Sequence, residues 1–96
     1  MEVEVELIGF LSRLAGKRRF KLNLEAEQAT VLDLVKLLGE TFGRELERNI
    51  VEVDDSPPRK VSLILVNDVE VSSLQGLETV ISAGDRLTII PVSHGG

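Results

Sequence analysis

The sequence predicts an α+β domain in which one main helix crosses one face of a mixed β-sheet. Three observations carry that prediction. Apolar and charged residues alternate in two early stretches. The apolar period then changes to that of a helix over residues 31–42. Strongly apolar, β-branched runs follow at 61–66 and 86–92.

The elements follow in chain order. Val3, Val5 and Leu7 alternate with Glu2, Glu4 and Glu6, which reads as a half-buried strand. Phe20, Leu22 and Leu24 alternate with Arg19, Lys21 and Asn23, a second strand expected to pair antiparallel with the first through a connection at 11–17. Val31, Leu34, Val35, Leu38 and Phe42 fall on one stripe of a helix. Thr30 suits its N-cap, Asp33 can complete a capping box, and Gly43 suits its end. Gly39 inside that helix costs about 1 kcal/mol against Ala, so a loose last turn is expected. Residues 44–50 suit a short second helix, and the Asp54–Pro58 stretch is a loop because neither proline supplies a backbone donor. Residues 61–66 read as a central strand, with a turn at Asn67–Asp68 and a short strand over Val69–Val71. Residues 72–85 lack a sustained period and read as loop with a helical turn. Arg86–Val92 is the last strand. In a β-grasp fold the first and last strands lie parallel in the middle of the sheet, and both are long and apolar here.

Composition narrows the function. At 96 residues the chain makes one domain with a modest core. A net charge of −5 and the lack of Trp and Tyr argue against DNA and single-stranded nucleic acid as ligands. Lys17–Arg18–Arg19 is a local basic exception, read as a solvated turn. With no cysteine, disulfides, Cys-ligated metals and a Cys nucleophile are excluded, and any sulfur must come from another molecule. The single His94 builds no metal site. The acidic, alternating start is no signal peptide, and no apolar stretch is long enough to span a membrane. A cytoplasmic protein is expected.

The sequence ends Pro91-Val92-Ser93-His94-Gly95-Gly96, with the two glycines close behind the last apolar strand. With glycine at about 7% of residues, a Gly-Gly end arises by chance in about one chain in two hundred. A β-grasp body over 1–91 and a tail over 92–96 is the expected division, with Pro91 ending the sheet pairing.

The helix residues TVLDLVKLL, the central LILVNDVEV and the closing AGDRLTIIPVSHGG together resemble the ubiquitin-like sulfur carriers of the MoaD/ThiS family and the ubiquitin-related modifiers. The resemblance spans nearly the whole chain. It implies a carrier rather than an enzyme, with no bound cofactor. ATP is used by a ubiquitin-activating-type adenylating enzyme as partner. It also implies sulfur donation for molybdenum cofactor synthesis, with the large subunit of molybdopterin synthase as a partner, or for tRNA thiolation. Conjugation to lysines of target proteins is the alternative. A β-grasp interaction module with an inert tail is the rival of another class.

The chemistry suits those residues. Attack on a free carboxylate would expel an oxide, whereas a mixed anhydride with AMP has a good leaving group. A sulfur donor can then leave a thiocarboxylate on Gly96, or a lysine amine can form an isopeptide. Gly95 and Gly96 have no Cβ, so they fit a narrow channel and leave the terminal carbonyl unshielded. Val92 to Gly96, with His94 between, span about 17 Å when extended. Strand parity proposes the docking face. With Val3, Val5, Leu7, Leu87 and Ile89 inward, Ile8, Phe10 and Ile90 point outward, and Ile64 joins them if Leu63 and Leu65 are core. Arg86 is outward by the same parity. This patch resembles the sheet-face patch of ubiquitin.

Overall fold

A computed structural model describes residues 1–92 of the chain. The elements run β1 (Glu2–Leu7), α1 (Phe10–Ala15), β2 (Arg19–Asn23), β3 (Gln28–Thr30), α2 (Val31–Phe42), α3 (Arg44–Arg48), β4 (Val51–Glu52), β5 (Arg59–Lys60), β6 (Ser62–Val66), β7 (Val69–Glu70), β8 (Val80–Ser82) and β9 (Arg86–Pro91). The main sheet has the order β2-β1-β9-β6-β7. β1 and β9 are parallel at its centre, and every other pairing is antiparallel. With α2 laid over the inner face, this is the expected β-grasp arrangement.

The inner face follows from alternation. Val3, Val5 and Leu7 of β1 and Leu87 and Ile89 of β9 are fully buried, as are Val31, Leu34, Val35 and Leu38 of α2. The cap of α2 forms as its sequence indicates. The Asp33 amide donates to Thr30 Oγ1 at 3.1 Å, and the Thr30 amide donates back to Asp33 Oδ2 at 3.0 Å. Gly39 is buried rather than loose. A Cβ there would meet Glu47 Oε1 at 2.0 Å and Glu47 Cβ at 2.9 Å, so the glycine lets α3 close onto α2.

The parity expected for β6 is reversed. Ile64 is fully buried and Ser62 is 2% exposed, whereas Leu63 and Leu65 are only half-buried. The register explains why. Ile64 lies opposite Ile89 and Val66 opposite Leu87, and directly opposed residues share a sheet face. A serine can occupy this inner position because its Oγ donates to the Asn49 carbonyl at 2.6 Å.

Other elements were not expected. The connection at 11–17 contains α1, which buries Leu11 and ends at Gly16 in the left-handed region (φ 74°). Its signal was present: Leu11, Leu14 and Ala15 stand at helical spacing before that glycine. The expected strand over Val69–Val71 stops at Glu70, and Val71 opens a 3-10 turn to Ser73; a second turn follows at Gly76–Glu78, where one helical turn was expected, and then β8, which pairs with β3. A β4–β5 hairpin brackets the predicted Asp54–Pro58 loop, and α3 matches the short helix expected after Gly43.

The corrected parity makes a direct stability prediction. Ile64→Ala is expected to cost about 2–5 kcal/mol, and Leu63→Ala about 1 kcal/mol or less. Urea unfolding of the two variants measures both; the opposite ranking would restore the original parity.

Candidate functional site

β9 is the strand that leads into the tail, and it is held on both sides, by β1 and by β6. It runs from Arg86 to Pro91, so the chain leaves the sheet where β1 also ends. The Ile8 amide donates to the Ile89 carbonyl at 3.0 Å, which extends the parallel ladder by one residue. Gly9 then breaks the strand with φ 60° and ψ −136°, a conformation that side chains oppose. A Cβ on Gly9 would also lie 3.3 Å from Pro91 Cγ. The end of β1 and the end of β9 are therefore packed against each other where the tail begins.

Phe10 belongs to this root and not to the outer sheet face. The break at Gly9 places it at the start of α1, where strand parity no longer applies, and it is 39% exposed. Phe10, Asn49, Val61, Pro91 and Val92 line a recess of about 190 Å³ with Ser62. Val92 is 49% exposed and is the last described residue. His94, Gly95 and Gly96, the expected working end, lie outside the described residues.

The outer face of the sheet is graded along the strands. Nearest the tail, Ile8 and Ile90 continue the β1–β9 register, and Leu63 lies opposite Ile90. The next row holds Glu6, Thr88 and Leu65, with Glu70 opposite Leu65. Farther still come Glu4 and Arg86. All four apolar side chains are half-buried. The patch expected from Ile8, Ile64 and Ile90 is thus built from Ile8, Leu63, Leu65 and Ile90, with Ile64 behind it in the core. Taking Leu63 and Leu65 as core misplaces Ile64; the hydrogen bond from Ser62 to Asn49 that permits the reverse is invisible in sequence.

Arg86 does face outward, at the far end of β9 from the tail. Its Nη2 donates to Asp68 Oδ2 at 2.6 Å, and its amide donates to Asn67 Oδ1 at 2.9 Å. The hydrogen bond and the charge of Asp68 raise the guanidinium pKa further. Asn67 and Asp68 have φ 49° and 71°, forming the tight β6–β7 turn. Glu70 borders the apolar rows. The Ser72 amide donates to its carboxylate at 3.0 Å, and Lys60 stands 3.7 Å away. The Ser72 bond is the main reason its pKa is lowered, partly offset by desolvation. Among the described residues no group of His, Asp and Glu is placed to hold a metal ion, and no helix is long and apolar enough to cross a membrane. What the geometry offers is a last strand held on both sides, ending at the last described residues beside an apolar face.

Comparison with known proteins gives consistent results. The model of the ThiS family matches residues 5–96. A candidate sulfur carrier protein of Archaeoglobus fulgidus is 37% identical over 75 residues, covering 78% of this chain and 83% of that protein. The solution structure of small archaeal modifier protein 1 (SAMP1) from Methanosarcina acetivorans superposes with a TM-score of 0.80 at 29% identity, covering 99% of this chain and 96% of the other. The Amycolatopsis orientalis BexX/CysO complex contains a chain that matches with a TM-score of 0.73 at 26% identity, over 98% of this chain and 99% of its own.

The packing of Gly9 on Pro91 is open to a simple test. Gly9→Ala is expected to lose about 1–3 kcal/mol of stability. Gly16→Ala should lose less, because a Cβ there meets nothing within 4 Å. Thermal or urea unfolding of the pair checks the ranking.

Proposed function

The chain belongs to the ThiS family, and on that premise we propose that it is a ubiquitin-like sulfur carrier that works through the carboxyl group of Gly96. It is a protein co-substrate and not itself an enzyme. A ubiquitin-activating-type enzyme joins the carboxyl to AMP, consuming ATP and releasing pyrophosphate. A donor of sulfide-level sulfur then attacks the acyl carbon as hydrosulfide; the C–S bond forms, the bond to AMP breaks, a proton is released, and a thiocarboxylate remains. The acceptor is a molybdopterin precursor, reached through the large subunit of a synthase, or a tRNA base. These steps belong to the cytoplasm.

The observation that carries this reading is the course of β9. Its pairing on both sides holds the root of the tail, while the apolar row of Ile8, Leu63 and Ile90 lies beside the exit. A partner that seats on that row receives the tail in a fixed direction. A row of half-buried apolar side chains on the outer face of so small a chain suits a docking role. Phe10 and Val92 at the root are placed to meet the mouth of the partner's channel. Arg86 is assigned no such contact, since it stands at the far end of the strand and binds Asp68. Gly96 enters the channel first, and Gly95 and His94 follow it.

The similarity to a protein named as a modifier supports a second reading, conjugation of Gly96 to lysines. Both readings share the adenylate and diverge only at the nucleophile. An inert tail is the competing view.

Intact mass spectrometry of the protein from its native cells is expected to show a species in which one sulfur replaces one oxygen. A Gly-Gly remnant on target lysines would instead mark conjugation. Deleting Gly96, or adding one residue after it, is expected to abolish both products without changing the melting temperature. Unaltered products from either variant would refute a working tail.

Leu63→Asp and Ile90→Asp test the docking row. Each is expected to lower the rate of charging by about tenfold or more, the effect of losing an anchor at an interface, with the fold retained by circular dichroism. Unchanged charging would remove this face from the mechanism.

A further inference from the structure

We propose that the open edge of β2, with the groove between it and α2, takes up an extended segment of another protein as an added strand. That segment alternates acidic residues on one side with apolar and basic residues on the other. The inference is independent of the tail.

Among the described residues no strand pairs with this edge, and it is long enough to pair. β2 is the outermost strand beside β1 and spans five residues, whereas the opposite edge, β7, has two. The ladder to β1 is bounded by the Leu7 amide donating to Arg18 and the Leu24 amide donating to Met1, both at 2.8 Å. Antiparallel alternation between these bonds turns Phe20 and Leu22 towards β1. It turns the backbone N–H and C=O groups of Arg19, Lys21 and Asn23 to the open side. Such groups are a template for strand addition.

Beside the Asn23 end of this edge lies a groove of about 510 Å³. Leu24 and Leu37, both half-buried, form its apolar part, and Glu25, Asp33 and Glu40 surround them with a single cation, Lys36. Asp33, Lys36, Leu37 and Glu40 stand at i, i+3, i+4 and i+7, so one face of α2 forms this wall. Side chains of an added strand that point to the α2 side therefore meet apolar surface under a net negative rim, which selects apolar and basic residues.

The other parity meets the opposite charge. Arg19 and Lys21 project from the outer face, 67% and 65% exposed, and their ion pairs are with Glu6 and Glu2 on the β1 side. Carboxylates on an added strand can approach them from the open side. The same cations disfavour pairing of two copies edge to edge, because like charges would then stand opposite one another. The complementary partner is a different chain with the alternation described.

The test is an NMR titration of the full-length, nitrogen-15-labelled chain with a short synthetic peptide. The peptide carries Glu at every odd position and Val and Lys alternately at the even ones. Shift changes are expected at residues 19–25 and 33–40, with the Lys21 and Asn23 amides gaining protection from exchange. A peptide with Lys at the odd positions and Glu in place of the even lysines should bind about tenfold more weakly. Lys21→Pro removes an outward N–H at an edge position that tolerates proline, and should weaken binding about tenfold. Glu40→Lys keeps the backbone intact and should weaken it about fivefold; it decides the matter if Lys21→Pro fails to fold. Deleting Gly96 should change nothing, which separates this site from the tail. Absence of shifts at millimolar peptide, shifts centred on Leu63 and Ile90, or equal binding of the charge-swapped peptide would overturn the proposal.

Discussion

The structure depends on one buried cross-strand row, formed by Leu7, Ile89 and Ile64. Leu7 pairs with Ile89 across the parallel β1–β9 ladder, and Ile89 pairs with Ile64 across the antiparallel β9–β6 ladder. All three side chains are fully buried. A one-residue slip of any of these strands would move its apolar set to the outer face. This row thus sets the register of the central sheet. The same register aligns Ile8, Ile90 and Leu63 on the opposite face, one residue along each strand.

Stability and recognition are therefore assigned to alternate residues of the same strands. On the central strands the inner positions Val3, Val5, Leu7, Ile64, Val66, Leu87 and Ile89 are aliphatic and buried, and Ser62 is buried on its hydrogen bond to Asn49. Outward positions on β1 and β9 are apolar at Ile8 and Ile90 and become polar or charged with distance from them, through Glu6 and Thr88 to Glu4 and Arg86, while Leu65 of β6 stays apolar beside Thr88. With no Trp or Tyr and three Phe, the chain fills its interior almost wholly with Val, Leu and Ile. Phe20 and Phe42 pack edge-to-face at 5.0 Å beside that core, which leaves Phe10 as the aromatic at the tail root.

Glycines mark the points where backbone must come close. Gly39 admits Glu47 between α2 and α3, and Gly9 admits Pro91 at the tail root. At both, the cost in local propensity is offset by a contact that a larger residue would block. In isolation Gly39 reads as a weakness of the helix; its neighbour in space gives the physical reason for it.

Local pattern in the sequence was enough to determine the class of fold, the pairing of the first two strands, the capping box of Thr30 and Asp33, and the inward sets of β1 and β9. Each rests on neighbours within a few residues, where period, capping and turn chemistry act. The folded chain alone decided the face of Ile64, the place of Phe10, the purpose of Gly39 and the pairing of β3 with β8. The pattern Ser62-Leu63-Ile64-Leu65-Val66 is apolar at both parities from Leu63 onward, so alternation could not choose a face. The choice fell to partners distant in sequence: Ile89 and Leu87 across the ladder, and the Asn49 carbonyl that satisfies the buried serine. Alternation proposes two faces for a strand, and only the partners it meets in space select one.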